Sequence, residues 1–144
     1  MKMEPSQDKE NQVRGLLYQL EVGRKQLDQL VKQEQMIEGA LMEINSTVDA
    51  LNTLKNQKPG DAIMVQVGAG SFMKAKLEDT ENVLVGIGAG MSVEKKIPDA
   101  VQALQERRTS LTESLKSLRK TMGELTLRIA DLNAQAEKMM GPLA

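Results

Sequence analysis

Apolar residues in the first third of the chain recur three and four positions apart. The stripe runs Val13, Leu16, Leu20, Gly23, Leu27, Leu30, Glu34, Ile37, Leu41, Ile44, Val48 and Leu51, and ten of these twelve positions are apolar. A repeat averaging 3.5 residues keeps one narrow face turned towards a partner helix over many turns, which is the condition for a coiled coil. The predicted helix follows a polar lead-in containing Pro5 and is capped by Ser6 or Asp8. Lys55 and Lys58 suit its negative end, and Pro59-Gly60 stops it. The same spacing returns in the last third at Val101, Leu104, Arg108, Leu111, Leu115, Leu118, Met122, Leu125, Ile129, Leu132, Ala136 and Met139, interrupted only by Arg108. Pro98-Asp99 opens this second helix and Gly141-Pro142 ends it. Two helices with equal numbers of seam positions predict an antiparallel pair folded back within one chain, an arm of roughly 60 Å. Glu34 and Arg108 do not fall opposite each other in that arrangement, so no salt bridge joins them.

Between the helices the period drops to two, and one phrase occurs twice. Val65-Gln66-Val67-Gly68-Ala69-Gly70 is echoed twenty positions later by Val85-Gly86-Ile87-Gly88-Ala89-Gly90, and the echo continues through Lys76 and Lys96 to Leu77 and Ile97. Each copy reads as a β-branched run, a glycine turn and a second extended run, which is a hairpin. The spans are Asp61–Val67 with Phe72–Leu77, and Asn82–Ile87 with Met91–Lys96. Hairpins this short are barely stable alone and leave open edges. Ile63, Val65, Val67, Phe72, Val83, Val85 and Ile87, with the turn glycines Gly68, Gly70, Gly88 and Gly90, are therefore the candidate assembly residues, the sheet being completed by other chains. The expected class is α+β, mainly α: one extended domain made of helix 1–60, a double hairpin at 61–97 and helix 98–144.

Composition narrows the function. The chain holds one Phe, one Tyr, no Trp and ten Met, so narrow aliphatic seams replace an aromatic-rich globular core. Nineteen basic and twenty acidic residues are intermixed, and no basic patch with aromatic platforms invites nucleic acid. Without Cys or His the chain lacks the usual zinc ligands and cannot form a disulfide. No apolar signal core opens the sequence and no apolar run approaches a membrane span, so a soluble cytoplasmic protein is expected. The glycine turns are not a nucleotide motif: after Gly68-Ala69-Gly70 the dinucleotide fingerprint needs glycine where Met73 stands, and each segment leads into a strand rather than a helix N-terminus. No constellation marks a catalytic cleft, so neither an enzyme nor a cofactor is expected.

The order helix, double hairpin, helix closely resembles the prefoldin family, and specifically its archaeal-type alpha class, over about residues 10 to 140. The segment from Val67 to Lys76, followed by Val85 to Lys95, carries the likeness; the heptads alone are unspecific. The resemblance implies a hetero-hexamer of two alpha and four one-hairpin beta-type subunits on a double β-barrel platform. It further implies ATP-independent holding of unfolded polypeptides at the coiled-coil tips and their delivery to a group II chaperonin. Holding non-native chains calls for exposed, adaptable apolar surface, which methionine suits. Where both termini meet, the candidates are Leu16, Leu17, Leu20, Val22, Leu132, Met139, Met140 and Leu143. Leu16, Leu20, Leu132 and Met139 also read as the last core layers of the coil, whereas Leu17 and Met140 lie off the seam. Gly15, Gly23 and Gly123 soften the same half of the arm, and Gly23 leaves a hole in the seam. The alternative is a coiled-coil scaffold or tether joining folded partners.

Overall fold

The computed structural model describes residues 5–141. Helix α1 spans Pro5–Lys55, and strands β1 (Ala62–Gly68), β2 (Ser71–Lys76), β3 (Asn82–Gly88) and β4 (Met91–Lys96) lead into α2, Ile97–Met140. The mainly helical α+β class is the one the periodicity predicts. Three helix boundaries differ, and β1, β2 and β3 each depart by one residue from the predicted spans. Ser6 and Asp8 lie inside α1 rather than before it, because the helix starts at Pro5, where a missing N–H costs nothing. At the other end α1 stops at Lys55 instead of reaching Lys58. The Asn56 and Gln57 N–H groups close three-residue turns onto Thr53 and Leu54, and the Lys58 N–H donates to Asp61 Oδ2 at 2.9 Å. Helix α2 opens one residue early, at Ile97, whose N–H donates to the Glu81 carbonyl at 2.9 Å.

Neither helix exposes any of its twelve seam positions, and from Leu104 to Met140 every other α2 side chain is exposed. The chain divides into two compact units: Ala40–Leu111, and the helix segments up to Gly39 and from Thr112. In the first unit Ile44, Val48 and Leu51 of α1 form one buried cluster with Ile97, Ala100 and Val101 of α2. The low-numbered end of one segment thus meets the high-numbered end of the other, which makes the pair antiparallel. Arg108, at a seam position, donates from Nη1 to Asn45 Oδ1 at 3.0 Å, so its charged head leaves the core while its stem lines it. In the second unit Leu20 packs with Leu132 and Ala136, flanked by Leu16 and Ile129. Glu34, the other polar seam residue, accepts from Arg119 Nε at 3.1 Å, while Arg119 Nη2 donates to Glu38 at 2.6 Å. The Glu34 carboxylate holds this guanidinium above its ordinary pKa. Gly23 is not a hole: a Cβ built there would sit 3.2 Å from Ile129 Cγ1, so the glycine makes room for isoleucine.

The hairpins are two separate two-stranded antiparallel sheets. Val65 faces Met73 and Ile63 faces Ala75 in the first, and Val85 faces Val93 and Val83 faces Lys95 in the second. The register slips by one residue before each turn, leaving Val67 and Ile87 as bulge residues. The turns Ala69-Gly70 and Ala89-Gly90 have φ of 49° and 75°, and of 52° and 72°. Positive φ at both positions defines a type I′ turn, whose twist matches that of the strands. The twenty-residue repeat extends to individual bonds. The Leu77 N–H donates to Asp61 as the Ile97 N–H does to Glu81, both at 2.9 Å. After Leu77 the chain turns through a loop held by Asp79, whose carboxylate accepts from the Glu81 and Asn82 amides at 2.8 and 3.1 Å.

Candidate functional surfaces

Among the described residues, apolar side chains without cover cluster in two regions, while Met36, Met42 and Leu127 stand exposed singly on the helices. The first is the end of the arm nearest the termini, where Val13, Arg14, Met139 and Met140, with Lys9 and Glu10, line one open depression. The two helix ends therefore come together as expected. Of the residues proposed for capture, Leu20 and Leu132 are buried, at 3% and 8% exposure, and form the core layer there. Leu16, Val22 and Met139 are half-buried. Leu17 and Met140 are open, at 46% and 45%. Leu143 lies outside the described residues. Lys9, Glu10 and Arg14, which the heptad pattern does not single out, give this apolar end a charged rim.

The second region is the hairpin pair, whose two members are not alike. Val83 and Val85 of β3 pack against the cluster of Ile44, Leu51 and Ile97. The second hairpin is thus covered on that face by the chain's own helices. Directly paired residues point to the same side of a sheet. Ile63, Val65, Met73 and Ala75 therefore form one apolar face of the first hairpin, and of these only Ile63 and Ala75 are even partly covered. Val67, Phe72 and Ile87 are exposed. So are Met64, Met73, Leu84 and Met91, which were not among the candidate assembly residues although their alternation marks them. Among the described residues no helix is long and apolar enough to cross a membrane.

Two long helices with two antiparallel hairpins between them in the chain define a mainly helical α+β protein whose uncovered apolar side chains suit contact with other polypeptides. The prefoldin subunit family profile matches residues 24–140. The prefoldin alpha subunit of Methanobrevibacter smithii is 32% identical over 124 residues, which cover 86% of this chain and 84% of the relative. That of Pyrococcus horikoshii is 30% identical over 127 residues, covering 86% and 84%. Among solved structures, the crystal structure of the prefoldin beta subunit from Thermococcus strain KS-1 superposes with a TM-score of 0.60 at 22% identity, covering 98% of this chain and 97% of that one. A chain of the filamentous PFD from Methanocaldococcus jannaschii, solved by cryo-EM, gives 0.59 at 24% identity, covering 85% and 95%. The chain belongs to the prefoldin family. Prefoldins are chaperones, and the Methanobrevibacter smithii and Pyrococcus horikoshii relatives are prefoldin alpha subunits.

Proposed function

We propose that this chain is the two-hairpin subunit of an ATP-independent holdase that captures unfolded polypeptides at the terminal end of its arm. The observation that carries this is Leu17 and Met140, apolar and adaptable yet open to solvent beside a core layer of Leu20 and Leu132. An apolar surface without a shaped pocket selects for exposed hydrophobic segments and not for one ligand. Leu16, Val22 and Met139 extend it, and the charged rim of Lys9, Glu10 and Arg14 keeps it in solution. The uncovered hairpin faces assemble with beta-type subunits, two alpha with four beta, into a β-barrel platform. The loaded complex then hands its clients to a group II chaperonin in the cytoplasm.

The test is suppression of aggregation of a denaturant-unfolded enzyme diluted into buffer without nucleotide. The native assembly suppresses it, and Leu17→Ser with Met140→Ser halves the effect or more while leaving the melting temperature unchanged. Full suppression by that variant would remove the assignment of these two residues. No suppression by the native assembly would favour a tether of folded partners.

A further inference from the structure

The unit formed by the helix segments up to Gly39 and from Thr112 has two unlike flanks. On one, Leu17, Glu21, Arg24, Lys25 and Asp28 line a shallow depression. Charges here pair along the helix, Lys25 with Glu21 at 3.4 Å and Lys32 with Asp28 at 3.7 Å. On the other flank a glutamine stands at every seventh position, Gln12, Gln19, Gln26 and Gln33, each just before a seam residue. That spacing aligns all four along one edge of α1. All are exposed, and none of their side-chain amides bonds to another described residue. Two adjoining grooves run beside Gln19, Gln26 and Gln33, sharing Gln26, Leu125 and Arg128, and Gln12 continues the row beyond them. Leu30, Leu125 and Ile129 line them, Gly23 adds no side chain to narrow them, and Glu124, Arg128 and Asp131 of α2 also line them.

We propose that this amide-edged groove holds an extended segment of unfolded polypeptide by its backbone, a second subsite beside the apolar end. The inference rests on the capture reading above. A non-native chain brings N–H and C=O groups that need partners wherever it displaces water. A glutamine amide supplies both donors and an acceptor and carries no charge, so its bonds to a client's backbone do not depend on the client's side chains. The spacing fits as well. Seven helical residues rise about 10.5 Å, close to the roughly 9.3 Å in which a polyproline II chain completes one three-residue turn. Successive glutamines thus meet the same side of a conformer common in unfolded chains, and their flexible stems absorb the difference. Leu30 and Leu125 receive the client's apolar side chains.

The experiment measures binding of a fluorescent 20-residue peptide of alternating Leu and Ser, and of its backbone N-methylated counterpart, to the full-length chain in its native assembly. Gln12→Ala, Gln19→Ala, Gln26→Ala and Gln33→Ala are combined in one variant; alanine is the better helix former, so folding is not at risk. Binding of the unmodified peptide falls about tenfold or more, and the N-methylated peptide binds weakly and equally to both proteins. On the charged flank, Arg24→Gln with Lys25→Gln changes neither. Unchanged affinity in the glutamine variant, with loss in Leu17→Ser and Met140→Ser, overturns the groove and leaves capture at the end standing. An equal loss for both peptides overturns backbone recognition. No binding to the native assembly removes the capture reading and the groove with it.

Discussion

Gly23 shows how a residue that breaks a pattern can still belong to it. Its place in the seam was legible from the 3-4 spacing, but its role was not, because the isoleucine that needs the space lies on the other helix, at 129. A Cβ added at Gly15 or Gly123 would meet nothing within 4 Å, whereas one at Gly23 would meet Ile129 Cγ1 at 3.2 Å. Gly15→Ala and Gly123→Ala should therefore each stabilise the arm by about 0.5–1 kcal/mol, the ordinary helix-propensity gain. Gly23→Ala should yield less than half of that, and Ile129→Val in the same chain should restore it. Denaturant titration decides: equal gains at all three sites would show that the close approach costs nothing. Asp79 gives a residue-scale prediction in pH. The Glu81 amide, then the Asn82 side chain and amide, lower its carboxyl below the ordinary 3.8. A group with a depressed folded pKa contributes stability above its unfolded value and loses it as pH falls through the folded one. The connection from Glu78 to Asn82 should then loosen below about pH 4, and amide protection there, taken relative to the intrinsic exchange rate at each pH, should fall on acidification in the native chain but not in Asp79→Ala.

At the scale of elements, the heptads located the whole helix–helix seam, since what decides burial there is spacing along a single helix. Arg119 escaped because it sits one position outside the stripe and acts only through Glu34 and Glu38 of the facing helix, some eighty residues away in sequence. The hairpins were legible from their doubled phrase. Their bulges and their left-handed Ala69 and Ala89 were not, because glycine on either side masks which residue takes the turn. An alanine at positive φ is held against its own preference, and asparagine tolerates that region better. Ala69→Asn and Ala89→Asn should each raise hairpin stability by about 0.5–1 kcal/mol, read as slower amide exchange in β1–β4. The helices themselves should not be uniformly stable. In the unit containing the hairpins six buried residues form one cluster, while around Leu20 only Leu132 and Ala136 are buried with it among the described residues. Local opening follows local core density. Hydrogen exchange should therefore be faster over residues 12–30 and 122–138 than over 42–54 and 98–110; equal protection would remove the soft-end idea.

For the molecule as a whole, the decisive asymmetry lies between its two hairpins. β3 sends Val83 and Val85 into the helical core, so the second hairpin is tied to its own chain. The first offers Val65 and Met73 side by side on an uncovered face, with Phe72 open on the other side. Two opposed strands with so much apolar surface in water are a poor monomer and a good half of an interface. The sequence signalled that the strands need covering, but not that only one hairpin supplies its own cover, since that depends on Ile97 bringing β3 and β4 against α1. Val65→Lys with Met73→Lys should accordingly disrupt assembly while leaving helix content intact, because neither residue belongs to either core cluster. The native mass of the tagged chain from its own cells is the measurement. Two copies with four smaller subunits in the native protein, and a much smaller particle for the variant, would place the interface on the first hairpin. An unchanged mass in the variant would move it to the outer face of the second, where Leu84 stands exposed beside Gly86.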